Sequence, residues 1–376
     1  MKSMPKRFLA PVTEQIYTLN LGPQHPSTHG VLRVLLDLDG EFIVKADPVI
    51  GYGHRGHEKM GENRLFKQFL PNTSRLDYLS GFLFNHGYVL AVEKLAGIPV
   101  PPRAQFIRTI CSEFNRIASH LLWFGTYVMD LGGFTPFLYA FDDRERILDI
   151  LDWVTGSRLT YSYCRFGGVD RDIDTRFTDM ARDFIKRLRS RWPDYHNLVT
   201  RNIIFIHRTR GVGVITPEQA RQFGVTGPNL RACGIAFDTR KAEPYEVYDQ
   251  FDFEIPVGSD GDALDRYRVR FEEMEQSLRI IEQALDRLPG GPFMNDSVPT
   301  RLKPPKGEVY FAFESARGQA AYYLVSDGTP SPYRCHIRVP SFGNLHVLTE
   351  VLRGTLVADA ISILGSVDLV IPEIDR

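Results

Sequence analysis

Two histidines near the N-terminus stand where they could do acid–base or metal chemistry. The segment from Gly22 to Gly30 reads GPQHPSTHG and holds His25 and His29 beside two prolines. Histidines four residues apart are compatible with metal binding, but no third ligand is evident, and in a Pro-rich turn they need not share a face. Histidine titrates near neutral pH and can donate a proton to a carbonyl oxygen that is being reduced. The other interpretations are therefore a rigid loop that presents one imidazole, or a histidine hydrogen-bonded within its own turn.

Two further polar clusters stand out along the chain. The first lies in the segment GYGHRGHEK and consists of His54, Arg55, His57 and Glu58. Taken alone, it is interpreted as a solvated or interface loop. The second is ESARG, where Glu314 and Arg317 could form an ion pair at a turn between strands, with a functional and a structural role equally open.

Asp130 is the only charged residue in the apolar stretch 121–141, which is long enough to span a bilayer. A glycine pair at Gly132 and the proline at Pro136 would break a spanning helix in its middle, and a central carboxylate is costly in lipid. We therefore expect a helix that is buried in protein and ends near Gly132. A buried carboxylate needs a cationic or hydrogen-bond-donating partner, and a histidine could supply it.

Composition excludes several classes of protein. The chain has 376 residues, 43% of them hydrophobic, which is ordinary for a globular protein. Its 45 Lys and Arg balance 46 Asp and Glu, so there is no electrostatic footprint for nucleic acid. The four cysteines lie far apart without a CxxC pair, which indicates neither a disulfide framework nor a metal site built by this chain alone. The N-terminus has no apolar signal region, and a reducing, cytoplasmic setting is expected.

Apolar patterning predicts the elements that position these groups. Residues 31–44 alternate Leu32, Val34, Leu36 and Leu38, then Phe42 and Val44, around a two-residue Asp39-Gly40 turn, which predicts a β-hairpin. From Ser74 the period becomes helical up to Gly97, with a possible capping box at Ser74–Asp77 and Tyr78 in the first turn. A second helix behind Pro101-Pro102 delivers Asp130 at its far end. Further helices are predicted over 144–154, 179–191 and 262–288, the last being the longest, and strands over 308–313 and 320–326.

These elements predict one domain of the α+β class. Its three parts are a β-rich start (1–73), a central helical bundle (74–292) and a C-terminal part (293–376) with small β elements, followed by a tail of short helices and turns.

Many short segments, in one order along the chain, resemble the 49-kDa (D) subunit family of NADH:quinone oxidoreductase, respiratory complex I. The similarity runs from about Leu19 to Arg376 and is carried by GPQHPSTHGVLR, DPVIGYGHRGHEK, RLDY, VEKLAGIPVPPRAQFIR, IASHLLW, DLGGFTPFLYAF, RFGGVDRD, RGVGVI, PPKGEVY, ESARG and SVDLVIPEIDR.

That family is similar to the large subunit of nickel–iron hydrogenases, which binds its metal through two CxxC motifs. The resemblance implies a hydrogenase-like fold but no such metal here. Asp77 and Ser80 stand at the positions of the early cysteines, and Val370 and Glu373 at those of the late ones. Four missing thiolates remove a nickel site, since that soft metal centre needs them.

In place of the metal, the resemblance implies a cavity that receives a quinone of the menaquinone or ubiquinone type. His29 and Tyr78 match the residues that hydrogen-bond the quinone carbonyl, and Asp130 matches an aspartate that pairs with this histidine. Arg75 matches an arginine beside the terminal iron–sulfur cluster, which belongs to a neighbouring polypeptide. Many members carry a histidine near this cluster where this chain has Thr160. This difference implies that the reduction potential of the cluster depends less on pH and suits a low-potential quinone such as menaquinone.

The resemblance also implies partners and a location. The chain would be a catalytic subunit that is active only within a proton-translocating NADH:quinone oxidoreductase. Its partners would be peripheral-arm subunits, especially the terminal-cluster subunit, the 30-kDa-type subunit and the membrane-embedded quinone-channel subunit, on the cytoplasmic side of the inner membrane. Two alternatives stay open: the same subunit in a deazaflavin- or ferredoxin-driven relative, and a structural subunit of a membrane hydrogenase-like complex without quinone.

Overall fold

The computed structural model describes residues 16–23 and 30–376, so His25 and His29 lie outside the described residues. Helices and small antiparallel sheets alternate along the chain, which confirms the α+β class. The strands are β1 Tyr17–Leu21, β2 Arg33–Asp39, β3 Phe42–Val49, β4 Cys164–Arg165, β5 Gly168–Val169, β6 Gly307–Ser315, β7 Gly318–Ser326 and β8 Arg334–Arg338. The helices are α1 His57–Glu62, α2 Phe66–Thr73, α3 Gly81–Ala96, α4 Pro102–Asp130, α5 Phe134–Thr155, α6 Thr175–Tyr195, α7 Ile203–Thr209, α8 Pro217–Gln222, α9 Pro228–Ala232, α10 Thr239–Ala242, α11 Ala263–Asp286, α12 Pro340–His346, α13 Leu348–Val351, α14 Val357–Val367 and α15 Ile371–Asp375.

The predicted hairpin is confirmed as β2 and β3, which join β1 in an antiparallel sheet of order β1-β2-β3. The buried positions of β3, however, are Ile43 and Ala46 and not the predicted Phe42 and Val44. The turn lies at Gly40 and Glu41 and not at the predicted Asp39-Gly40, because Asp39 pairs with Phe42 and Leu38 with Ile43, and this places Ile43 on the buried face. A register irregularity at Asp37/Leu38 then places Ala46, and not Lys45, opposite Leu36. Such a bulge inserts one residue and so turns the following side chains to the opposite face.

The predicted helix over 74–97 begins seven residues later than expected, at Gly81. Ser74–Asp77 is not a capping box, because Asp77 bonds the backbone N–H groups of Leu79 and Ser80 within a loop. Tyr78 therefore lies in this loop between α2 and α3 and not in the first turn of a helix. The prediction of its position was wrong in that respect.

The long helix behind Pro101 is confirmed and ends at Asp130, close to the predicted Gly132. This helix, α4, has 29 residues and is longer than α11 with 24, so the prediction that 262–288 would be the longest was wrong. It is buried along most of its length between α5, α11 and α3. No helix within residues 16–23 and 30–376 has the length and apolarity to cross a bilayer.

Two hydrophobic cores support the fold. The larger core is built by α3 to α6, α11 and the β6-β7-β8 sheet, and the smaller one by the N-terminal sheet with α13, α14 and α15. The strand β8 falls in the segment for which only short helices and turns were predicted, so that prediction was wrong there. The division of the chain at residues 73 and 292 stays a prediction.

Candidate functional site

A cavity of about 240 Å³ opens where the loop before α3, the end of α4 and the segment after α14 meet. We name it the Tyr78 cavity. Tyr78 and Asp130, two of the residues singled out in the sequence, both line it. Most of its other walls are apolar. The remaining lining residues are Gly30, Leu79, Leu122, Trp123, Thr126, Tyr127, Phe141, Gly365, Asp368, Leu369, Val370, Ile371 and Pro372.

The aromatic wall of the cavity is held rigidly by α4. Trp123 stacks on Tyr127 with ring centroids 5.3 Å apart and planes at 16°. The indole Nε1–H of Trp123 donates to the backbone oxygen of Gly365 at 2.7 Å, which ties α4 to α14. The guanidinium of the buried Arg270 lies over the Trp123 ring, 4.4 Å from its centre. A flat, fixed aromatic surface of this kind suits a planar ligand.

Tyr78 is placed by its neighbour Asp77. One oxygen of Asp77 accepts from the backbone N–H groups of Leu79 (3.0 Å) and Ser80 (3.1 Å). The other accepts from Arg317 Nη1 at 2.8 Å. The loop is thereby pinned on both sides of Tyr78, although 38% of the Tyr78 surface is exposed.

The phenol of Tyr78 is a protonated donor at neutral pH. Removal from water raises the pKa of Tyr78, and the nearby Asp77 and Asp368 raise it further, against the opposing charge of Arg317. A phenol in this state can give a hydrogen bond, and transiently a proton, to an oxygen in the cavity.

Asp130 is the last residue of α4 and is half-buried at the cavity wall. Its removal from water raises the pKa of its carboxyl to about 6. The negative end of the helix dipole acts in the same direction, because it disfavours an anion at a helix C-terminus. Asp130 can therefore exchange a proton near neutral pH. Its predicted partner His29 lies outside the described residues, so that pairing stays a prediction.

Arg75 lines a second, more open depression of about 550 Å³, which we name the Arg75 depression. Tyr78 and Pro372 line both hollows and so stand between them. The backbone oxygen of Arg75 accepts from Arg55 Nη2 at 2.8 Å. The two exposed guanidiniums give this depression a positive wall.

The polar cluster around His54 is only partly solvated, which contradicts the interpretation of a fully solvated loop, whereas the interpretation of an interface loop stays a prediction. His57 is buried, and burial together with Arg55, His54 and Arg75 lowers the pKa of His57 to about 4. It is therefore neutral at pH 7. His54 is exposed, and its Nδ1 lies 2.6 Å from the backbone oxygen of Asp375.

Behind the cavity lies a set of buried charges that the sequence did not reveal as a unit. Arg317 does not pair with Glu314, which instead binds Arg231 at 3.0 Å. Arg317 reaches Asp77 and also Asp368 of the cavity wall, the latter at 3.2 Å. The motif ESARG therefore pointed to Arg317, but its partners lie 240 and 51 positions away in the chain and leave no local signal.

The two segments expected to replace cysteine pairs do meet. Tyr78 and Leu79 of the first segment and Asp368 to Pro372 of the second line one cavity. Arg317 Nη1 donates to Ser80 Oγ at 3.0 Å as well as to Asp77. Among the residues that the structure describes, no group of three or more His, Cys, Asp and Glu is arranged to hold a metal ion.

Comparisons with known proteins agree along nearly the whole chain. The family model described as respiratory-chain NADH dehydrogenase, 49 Kd subunit, matches residues 130–303 and 297–376. The D subunit of NADH-quinone oxidoreductase from Desulfotalea psychrophila is 58% identical over 363 residues, which cover 96% of this chain and 98% of that protein. The D 2 subunit of the same enzyme from Opitutus terrae is 53% identical over 362 residues (96% and 91%), and the D subunit from Desulforamulus reducens is 51% identical over 359 residues (96% and 98%).

Proposed function

Because this chain belongs to the family of the respiratory-chain NADH dehydrogenase 49 kDa subunit, we propose that its Tyr78 cavity receives a quinone headgroup for reduction. The chain is a subunit of an oxidoreductase complex, as are the NADH-quinone oxidoreductase proteins that it resembles. The observation that carries the proposal is that a phenol and a carboxyl with a raised pKa line one mainly apolar cavity.

The size of the cavity suits a headgroup. An apolar cavity of about 150 Å³ is large enough to admit benzene, and the Tyr78 cavity has about 240 Å³. It is smaller than the roughly 300–1,000 Å³ of pockets that enclose a whole drug-sized ligand. A quinone would therefore place its ring inside and leave its isoprenoid tail outside.

The residues at the cavity match the proton demand of the reaction. Reduction of a quinone by two electrons makes a dianion unless two protons arrive with them. Tyr78 donates to one carbonyl oxygen, and His29 is proposed as the second donor. Asp130, whose carboxyl pKa is about 6, would pair with His29 and change partners when that proton leaves.

We propose that the electrons come from an iron–sulfur cluster in a neighbouring polypeptide on the Arg75 side. The positive charge of Arg75 would stabilise the reduced form of such a cluster. The Arg75 depression shares Tyr78 and Pro372 with the Tyr78 cavity, so that these two residues would stand between a cluster there and the headgroup. The reduction of either a ubiquinone or a menaquinone type is compatible with this arrangement.

The proposed place of the chain is the peripheral arm of the complex, on the cytoplasmic side of the membrane. Its partners would be the terminal-cluster subunit, the 30-kDa-type subunit and the membrane-embedded quinone-channel subunit. Exposed apolar side chains near the far end of α4 support burial against other subunits. Phe134 and Leu138 are 61% and 51% exposed, and Ile203 and Ile204 are 64% and 66% exposed.

Tyr78→Phe in the assembled complex tests the proposal. The variant keeps the ring and removes the donor, so quinone reduction should fall on the order of 10²-fold, at the lower end of general-acid contributions. Reduction of the upstream clusters by the natural donor should be unchanged. Tyr310→Phe, at a tyrosine on β6 that is 51% exposed, serves as the matched control. Normal quinone turnover in Tyr78→Phe would remove Tyr78 from the role of donor.

A further inference from the structure

We propose that Glu373 holds a proton in the resting protein and uses it to restore the phenol of Tyr78 after that phenol has donated to the quinone. This inference rests on the proposed function and adds a proton-storing residue behind the Tyr78 cavity. Glu373 lies in α15, directly after the cavity residue Pro372.

Glu373 is fully buried and sparsely hydrogen-bonded. Its Oε1 accepts from the backbone N–H of Ser341 at 3.0 Å. Its Oε2 is buried without a hydrogen-bond partner among the described residues. A carboxylate in this situation would leave half of its charge unsolvated, whereas a carboxylic acid would not.

The charges around Glu373 also favour the acid form. Two guanidiniums, Arg317 and Arg270, face three carboxyl groups, those of Asp77, Asp368 and Glu373. Arg317 binds Asp77 at 2.8 Å and Asp368 at 3.2 Å, and Arg270 Nε lies 3.9 Å from Asp368. Arg266, which also acts on Arg270, has Asp262 and Asp265 beside it. With Asp77, Asp368 and Glu373 all ionised, Arg317 and Arg270 would therefore leave one negative charge uncompensated, and one proton removes it.

Glu373 is the member of this group that best holds that proton. Asp77 and Asp368 each accept a hydrogen bond from Arg317, and Asp77 also accepts two from backbone N–H groups. Asp368 Oδ2 also lacks a hydrogen bond, but Arg270 Nε lies 3.9 Å from it. In the part of the chain that the structure describes, Glu373 accepts only the bond from Ser341. The neighbouring buried carboxylate Glu273 is already bound by Arg231 and His120. These two partners are therefore not available to offset the charge of Glu373.

The acidity of Glu373 reflects its burial and the charges around it. Burial and the charge of Asp77 raise the pKa of Glu373 to about 8, against the opposing charge of Arg317 and the hydrogen bond from Ser341. The phenol of Tyr322 on β7 also faces Glu373, and it stays protonated because burial raises its pKa. A pKa close to the working pH lets one group both give and take a proton.

Arg317 connects Glu373 with the Tyr78 loop, because its charge acts on the carboxyl of Glu373 and on the phenol of Tyr78, and it binds Asp77, next to Tyr78, at 2.8 Å. After Tyr78 has given its proton to the quinone, the O–H bond of Glu373 breaks and the O–H bond of Tyr78 forms again. The negative charge thus moves from the phenolate to Glu373 and stays beside Arg317. The two electrons still come from the neighbouring polypeptide's cluster, and solvent later returns the proton to Glu373.

Glu373→Gln in the assembled complex tests this role. The amide keeps the size of the side chain and its acceptor for Ser341, but cannot release a proton. In the unaltered complex, quinone reduction should fall as pH rises through about 8. In the variant, the rate should be lower by roughly tenfold or more, and this fall near pH 8 should disappear. An unchanged rate and pH profile would overturn the proposal.

Asp77→Asn is a second test, because it should shift the pH dependence of quinone reduction in a way that a merely structural role of Glu373 would not. It keeps an acceptor for the loop but removes the negative neighbour that raises the pKa of Glu373. The alkaline fall in rate should therefore move to lower pH. This variant still decides the matter if Glu373→Gln does not assemble, since an unmoved alkaline limb would contradict the proposal.

An infrared titration separates this proposal from the proposed function. The unaltered complex at pH 7 should show a protonated-carboxyl band that is lost on alkaline titration and absent in Glu373→Gln. Absence of that band together with normal binding of a quinone analogue would remove only the role of Glu373. A failure of the quinone analogue to bind, with the band present, would instead remove the proposed function of the cavity.

Discussion

Several buried arginines in this protein are each paired with a buried carboxylate. Arg108 bonds Glu93 at 2.7 Å, and Arg231 bonds Glu273 at 2.6 Å, with all four side chains nearly or fully inaccessible. Removing both charges of such a pair from water is costly, and the pair is retained only because each partner offsets the other. The loss of one partner is therefore the more damaging change.

Glu113 shows this dependence most directly. It accepts from Arg240 at 3.0 Å, from Tyr248 at 2.6 Å and from Ser277 at 2.7 Å, and Arg116 lies 3.2 Å away. Burial alone would raise the pKa of Glu113, but Arg116 and Arg240 outweigh it and lower the pKa to about 2.

We expect Glu113 to stabilise the fold fully above its unfolded pKa of about 4.5 and to lose this contribution as pH falls toward 2. Glu113→Gln should cost about 3–5 kcal/mol at pH 7, because it leaves two buried guanidiniums short of a counter-charge. Urea unfolding of the full chain at pH 7 and in acid measures both effects, and the variant should show the smaller loss of stability in acid. The control is Glu145→Gln at the exposed Arg158 pair, which should change stability by less than about 1 kcal/mol. Equal costs for the two variants would contradict the expectation.

At the scale of elements, regular patterns were predictable and loops fixed by distant charges were not. The β2–β3 hairpin and α4 follow from alternation, a turn dipeptide and a helical stripe, all of which are local. The loop that carries Tyr78 continues the helical pattern, yet it is held out of the helix by Asp77 and its bond to Arg317. Since Arg317 comes from a turn 240 positions later, nothing near Tyr78 in the sequence reports it. Glu373 entered the sequence analysis only through the resemblance, at a cysteine position, because the groups that act on its carboxyl, Asp77, Arg317 and Ser341, are remote from it in the sequence.

Two glycines inside helices, Gly87 and Gly125, allow a further prediction about how the helices pack. A Cβ atom added at Gly87 of α3 would lie 2.7 Å from Cζ of Phe313, a ring that is itself held between Phe84 and Tyr322. A Cβ added at Gly125 of α4 would be 3.4 Å from its nearest neighbours, an ordinary contact. The two sites thus differ in the free space around an added methyl group, whereas the backbone is helical at both.

Gly87→Ala should destabilise the fold although alanine is the better helix former by about 1 kcal/mol. Overpacking typically costs about 1–3 kcal/mol, and the ring of Phe313 has no free side toward which to move. Gly125→Ala, the matched control, should be neutral or stabilising by up to about 1 kcal/mol. The free energy of unfolding in urea measures both. A gain in stability at Gly87 equal to that at Gly125 would show that α3 and β6 can separate freely.

On the scale of the whole molecule, the site is assembled from segments that are remote in sequence. The Tyr78 cavity combines the loop before α3, the end of α4 and residues 365–372. The Arg75 depression adds residues 52–55. Residues 51–56 are held in turn by Asp375 and Arg376. The carboxylate of Asp375 accepts from the backbone N–H groups of Gly51 and Gly53, and the backbone oxygen of Arg376 accepts from those of Arg55 and Gly56. The last turn of the chain therefore sets the shape of a loop that borders Tyr78.

Asp375→Ala should release this loop without unfolding the protein. The carboxylate of Asp375 accepts from the backbone N–H of Gly51 at 2.7 Å and of Gly53 at 2.6 Å, and hydrogen bonds to charged groups contribute about 1.5–3 kcal/mol each. Since about 1.4 kcal/mol corresponds to a factor of ten, amide hydrogen exchange at Gly51 and Gly53 should accelerate by roughly tenfold or more. The amides of α4 should keep their protection, because their bonds lie within the helix core. Asp327→Ala, which removes an acceptor for Thr329 in a surface turn, should leave Gly51 and Gly53 unchanged. If exchange at the two glycines were the same in Asp375→Ala as in the unaltered protein, the loop would owe its shape to other contacts, and the C-terminal turn would have no part in forming the depression beside Tyr78.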